Sequence, residues 1–229
     1  MKAVHSDHPV THRFNLYQTV HKGLRAMMAD TLLLVGKTDL EDKDNFALAL
    51  DRVDQLLTIC EAHLNHENTF IHTALEARAA GSSAQCAHDH VEHVAEIQHL
   101  QHQVALLRHG DAVDPDRVWH QLYHALSVFM ADNFTHMLIE ENQHMQALWS
   151  AYTEEELHEI HGALVASIPP EEMAIHARWM IPYMSHPERV GMFMGMKDEA
   201  PPFVYAANLA KAKDLLSAND WSRLNLTLA

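Results

Sequence analysis

The glycines and prolines of this sequence stand so far apart that only long helices can fill the intervals between them. Gly totals 7 and Pro 8 in 229 residues. The breaks at Gly36, Gly81 and Gly110, with the Asp114-Pro115 pair, divide the first two thirds into four long segments. These run from about Thr11 to Val35, Asp44 to Ala80, Ser83 to Gly110 and Asp114 to Ser150. Asp114 before Pro115 reads as an N-cap followed by proline in the first helical position. A fold of many short strands needs turn residues at frequent intervals, and this chain lacks them.

Within each segment the apolar residues recur at helical steps. Tyr17, Leu24, Met28 and Leu32 mark the first, and Leu50, Val53, Leu57, Cys60 and Leu64 the second. Ile97, Leu100, Val104 and Leu107 mark the third, and Trp119, Leu122, Leu126, Phe129 and Met137 the fourth. Such one-sided stripes bury one face of each helix. Long amphipathic helices on short connections become antiparallel neighbours, so an all-α, up-down-up-down four-helix bundle is expected over residues 10–150. Residues 151–229 read as a helical C-terminal extension packed on that bundle. Thr153 caps an acidic first turn, Pro169-Pro170 breaks the helix, and Pro201-Pro202 opens a last one reaching about Ser217.

Charge narrows the partners. Lys+Arg is 16 against Asp+Glu 31, a formal net charge of −15. Nucleic acid and anionic membrane surfaces both need a basic face, so neither is expected as a partner. No stretch approaches the roughly 20 apolar residues of a membrane helix. The start, MKAVHSDHPVTHR, has no apolar core, so no signal peptide is expected there. Cys60 and Cys86 form no Cys-x2-Cys pair, which suits a reduced compartment. A soluble, cytoplasmic protein is expected. Its oligomeric state is open.

Chemistry enters through histidine, of which there are 21. The second and fourth segments share His-x3-Glu, as His63/Glu67 and His136/Glu140. Residues four apart share a helix face, and both pairs continue their apolar stripes inward. A buried carboxylate without a partner costs several kcal/mol. Lys and Arg are scarce in these stretches, so metal is the economical partner. His21 on the first segment and His93 on the third fall on the inward faces too. The inferred ligand set is His21, His63, Glu67, His93, His136 and Glu140, with the two carboxylates bridging two metals. His90, Asp89 and Glu141 are reserve ligands. His66, His72, His144 and His158 read as surface residues or as partners that orient a ligand. Nitrogen and carboxylate donors without thiolate suit iron or manganese, with zinc possible.

A single His on the first helix, His63-x3-Glu67 on the second, Glu92-His93 on the third and His136-x3-Glu140-Glu141 on the fourth resemble the hemerythrin-like, HHE cation-binding family. The resemblance covers about residues 10–150. The oxygen carriers of that family use five histidines, two of them as His-x3-His on the third helix. Here Asp89 precedes His93 by four. Their fourth helix carries His-x4-Asp in place of His136-x3-Glu140. The ligand set is more similar to that of the repair-of-iron-centres and nitric-oxide-binding di-iron proteins. The resemblance implies two iron ions and a protein that binds or reacts with oxygen or nitric oxide, as sensor, scavenger or stress-protection protein. A di-iron enzyme of ferroxidase, peroxidase or nitric oxide reductase type and a metal-responsive structural module remain alternatives.

Overall fold

The computed structural model describes residues 13–229. The stretch in which no signal peptide is expected, apart from its Arg13, and the expected segment start at Thr11 lie outside the described residues; residues 13–17 stand before the first helix, which begins only at Gln18. Among the described residues the chain is all-helical, without a strand. None of these helices is long and apolar enough to cross a membrane.

Four long helices come first. Helix α1 is Gln18–Lys37. Helix α2 is Lys43–His66 and continues through a π-helical turn, Glu67–His72, into Thr73–Arg78. Helix α3 is Ala84–His109. Helix α4 is Pro115–Ile139 and continues through a second π-helical turn, Glu140–His144, into Met145–Ala151. The caps are local chemistry. The Asp42 and Asp114 carboxylates accept from the backbone of Asn45 and Arg117, satisfying donors that open α2 and α4. Asn15 accepts from the backbone N–H groups of Tyr17 and Gln18 at the start of α1.

Residue pairs fix the directions. Asp30 meets Arg52 while His21 meets Glu67, so α1 and α2 run antiparallel. Arg108 meets Asp51 while Asn68 meets His90, which sets α2 against α3. His93 lies against Phe129, and Asp89 against His136. Arg25 meets Glu141, while an added Cβ on Gly36 would meet the Tyr123 ring, so α4 returns alongside α1. Leu24, Met28, Val53, Leu57, Ile97, Leu100, Leu122 and Phe129 meet in one buried core between these four helices.

The rest of the chain is α5 (Glu154–Ser167), α6 (Pro170–Tyr183), α7 (His186–Glu199), α8 (Pro202–Leu215) and α9 (Ala218–Leu228). Helix α5 covers a second core around Leu16, Tyr17, Ile71 and Leu148. Helix α6 packs along α1 and sends Trp179 into the first core. Ile181, Phe193, Ala212 and Leu224 form a third core within the C-terminal helices. Glu188 at the start of α7 accepts from Lys22 and Gln18, a polar tie back to α1.

Two expectations fail in detail. Gly36 does not stop α1, which runs on to Lys37. Its missing side chain serves packing: an added Cβ would lie 3.0 Å from the Tyr123 ring. Gly110, with φ of +75°, does cap α3 in the left-handed region that favours glycine, whereas Gly81, with φ of +83°, lies in the turn beyond Arg78 and Ala79, where the α2 run ends. The helix expected from Pro201-Pro202 to about Ser217 is α8, Pro202–Leu215, but it is not the last: Ser217 caps α9, accepting from the Asp220 backbone.

Helix α6 approaches α1 at Gly23, where an added Cβ would lie 2.9 Å from Met180 Cγ and 3.2 Å from its backbone nitrogen. The side chain can swing aside, but the backbone cannot without moving α6. Gly23→Ala is therefore expected to destabilise by about 1–3 kcal/mol. Thermal melting checks this; an unchanged or raised melting temperature contradicts the close packing of α6 on α1.

Candidate metal centre

The two π-helical turns begin at the two buried glutamates. A π turn takes in an extra residue, so it re-aims the side chains that follow. Glu67 and His72 open and close the first, and Glu140 and His144 the second. All four are buried, as are His21, His90 and His136. His63 comes from the last α-helical turn before Glu67.

Each carboxylate divides its oxygens between two sets of imidazoles. Glu67 Oε1 lies 3.0 Å from His63 Nε2 and 3.5 Å from His21 Nε2. Its Oε2 lies 3.5 Å from His90 Nε2. Glu140 Oε2 lies 3.6 Å from His21 Nε2, while its Oε1 lies 3.3 Å from His136 Nε2 and 3.8 Å from His90 Nε2. His21 and His63 thus form one side, His90 and His136 the other, and both glutamates straddle them. The ligand atoms of His21, His63 and Glu67 converge within 4.8 Å of one another, as do those of Glu67, His90, His136 and Glu140. A third group joins His72 and His144 to Glu140, and a fourth is Cys86, Asp89 and His136.

These close approaches are not aligned hydrogen bonds. Both oxygens of Glu67 and of Glu140, with Nε2 of His21, His63 and His72, are buried without a hydrogen-bond partner. Buried polar atoms are ordinarily paired, so this many orphans facing one another fit a cation between them. The outer nitrogens are tethered. His21 Nδ1 lies 3.0 Å from Glu141, which also accepts from Arg25. His90 Nδ1 meets Asn68 Oδ1 at 2.9 Å, and His136 Nδ1 meets Asp89 at 3.2 Å. Such outer partners fix the ring orientation and aim Nε2 inward.

The protonation states tell the same story. Burial would lower the His21 imidazole, but Glu141 and Glu67 raise it to about 9. Burial also opposes charge on His136, yet the Cys86 thiol and Glu140 raise it to about 11. Burial pushes Glu67 up, and His63 and His21 hold it well below the usual carboxylate range. Burial and the Glu67 charge push Glu140 up, and His136 and His90 bring it below its ordinary value. Protons on His21 and His136 therefore supply the positive charge that two carboxylates need when no cation does. His72 is lowered to about 4, first by burial and then by His90.

Of the expected ligands, His21, His63, Glu67, His136 and Glu140 come together. His93 does not join any convergent group among the described residues. It is buried, its ring 5.0 Å from that of His136 and edge-on to Phe129. His90, one turn earlier on α3, takes the inward place. Asp89 and Glu141 meet outer nitrogens of His136 and His21, although Asp89 also belongs to the Cys86 group. His72 and His144 are buried beside Glu140 rather than exposed, with the Tyr17 hydroxyl 3.0 Å from His144 Nδ1. His66 meets Glu172 and His158 stacks on Phe14, away from the centre. Of the two roles expected for His72 and His144, the surface one fails; each follows a His-x3-Glu within one widened turn.

No known family pattern, curated protein or solved structure matches the chain.

Proposed function

We propose that this chain is a hemerythrin-like, up-down-up-down four-helix bundle with a C-terminal helical extension, built around two non-haem iron ions that bind or react with oxygen or nitric oxide. The observation that carries the reading is the division of Glu67 and Glu140 oxygens between the His21/His63 and His90/His136 sides. That is how a bridging carboxylate must present itself. The His90/His136 side then offers two imidazoles and an oxygen from each glutamate, and the His21/His63 side two imidazoles and a Glu67 oxygen, with Glu140 Oε2 3.6 Å from His21. Iron accepts such a mixed nitrogen and oxygen set, and so does manganese, whereas the soft thiolates that select other metals are absent from these two sides.

Four convergent donors on one side and three on the other leave room for a small ligand on a metal that takes five or six. A ferrous pair, when bound, supplies the electrons that such a ligand draws on. The protein's own part is positioning and exclusion. Glu141, Asn68 and Asp89 hold the imidazoles, while Tyr17, Ile71, Ile97 and Phe129, all buried, favour an uncharged gas over an ionic substrate.

The test is to load the protein anaerobically with ferrous iron, verify two ions per chain, and add oxygen and nitric oxide separately. A change in the visible spectrum with at least one gas is expected. Silence toward both would leave a structural metal site in place of a reactive one, read out as a large melting shift on loading.

A further inference from the structure

A cavity of about 110 Å³ lies where α5 and α6 cross the start of α1 and the first π-helical turn. Leu16, Val20, Ile71, Leu164, Ile168 and Met173 make its apolar wall. His63 and Glu67 stand at its inner end, and Val165, 38% exposed, marks the rim. Apart from the Thr19 hydroxyl, the other polar groups around it are engaged. His66 and His176 both meet Glu172, Tyr17 meets His144, and His161 lies edge-on to Phe14. What faces the interior without a hydrogen bond is His63 Nε2 and Glu67 Oε1.

An apolar body with one polar end is the pattern of a small-molecule site. A diatomic gas has about the bulk of a water molecule, ~30 Å³, and would leave most of this volume empty. A cavity of ~150 Å³ accepts benzene. The space beside His63, about 110 Å³ and reaching the surface at Val165, suits at most one six-membered ring or a chain of similar bulk. Charge sets the rest. The Glu67 carboxylate at the inner end and the net charge of −15 disfavour an anion. The Glu67 carboxylate already faces the His63 and His21 imidazoles at 3.0 and 3.5 Å, and no second carboxylate lines the wall to receive an organic cation. A pure hydrocarbon would leave His63 Nε2 and Glu67 Oε1 unanswered.

We propose that this cavity binds a small neutral organic molecule of phenol size, its hydroxyl directed to His63 and Glu67 and its ring against α5 and α6. The reading gives the C-terminal extension a task, since α5 and α6 supply half of the wall. Direct bonding of the hydroxyl oxygen to a metal rests on the dinuclear reading above. Binding of the ring does not.

Phenol and toluene are the probes, titrated by calorimetry into metal-free protein and into protein loaded with ferric iron. Phenol is expected to bind both forms at least tenfold more tightly than toluene. In the ferric form, where the hydroxyl would lose its proton to solvent, it should add a visible charge-transfer band, the signature of a phenolate oxygen on iron. Ile168→Trp fills the cavity from its wall and should abolish phenol binding while metal content stays unchanged. Val165→Trp, at the exposed rim, serves the same purpose should Ile168→Trp fail to fold. Phenol binding to metal-free protein that Ile168→Trp removes supports the cavity even if the protein holds no iron. Two irons per chain with no phenol binding to either form overturns the cavity and leaves the centre standing. Phenol binding that survives both tryptophans also overturns it.

Discussion

Replacing Glu67 or Glu140 by alanine is expected to take the metal content from two ions per chain toward one or none. Each carboxylate faces both imidazole sets, so its removal takes one oxygen from each side at once. A terminal ligand would cost only one side. His90→Ala should therefore weaken the His90/His136 side alone, and His93→Ala should leave both ions in place. Loss of an outer partner costs about 10–100-fold in metal affinity, and loss of a bridging ligand should exceed that on both sides. Metal analysis after loading and desalting reads the result directly. Two ions retained in both glutamate variants would exclude bridging. Loss of metal in His93→Ala with retention in His90→Ala would restore the ligand set expected from sequence.

That contrast marks how far the sequence could be read. The four long helices were legible because their apolar residues keep a helical period from Tyr17 to Met137 and the breaks at Gly81, Gly110 and Asp114-Pro115 fall between them, whereas the Asp42 cap of α2 went unread. The His-x3-Glu pairs were legible for the same reason, since both lie in phase with a buried stripe. The choice between His90 and His93 was not. Both are buried on α3, and which Nε2 reaches the carboxylates depends on the rotation of α3 against α2 and α4. The π-helical turns were not legible either. They change the register by one residue at Glu67 and Glu140, so a reading that assumes a regular helix aims His72 and His144 elsewhere. Gly36 shows the same limit in packing: a helix stop and a close approach to Tyr123 look alike in one dimension.

The stabilisation gained on metal binding should grow steeply from pH 6 to pH 9. In metal-free protein His21 is raised from 6.5 to about 9 and His136 from 6.5 to about 11. A histidine raised in the folded state adds stability that is complete below pH 6.5 and is lost as pH rises through its folded value. Glu67 and Glu140, lowered from 4.5, add stability present above pH 4.5 and lost only in stronger acid. The metal-free protein is thus best held between about pH 4.5 and 6.5, where imidazolium and carboxylate charges coexist. Above that window the stability that His21 adds, on the order of 3 kcal/mol, fades until its proton leaves near pH 9. A cation reverses the trend. It binds unprotonated imidazole, so it must displace the protons on His21 and His136, and affinity rises as pH rises. Manganese(II) serves as the probe, with melting temperatures recorded with and without metal across this range. The gain should be small at pH 6 and largest near pH 9, and calorimetry in buffers of different ionisation enthalpy should report one to two protons released per loaded centre at pH 7. A gain that is flat or shrinks with pH would mean that His21 and His136 do not meet the metal through Nε2.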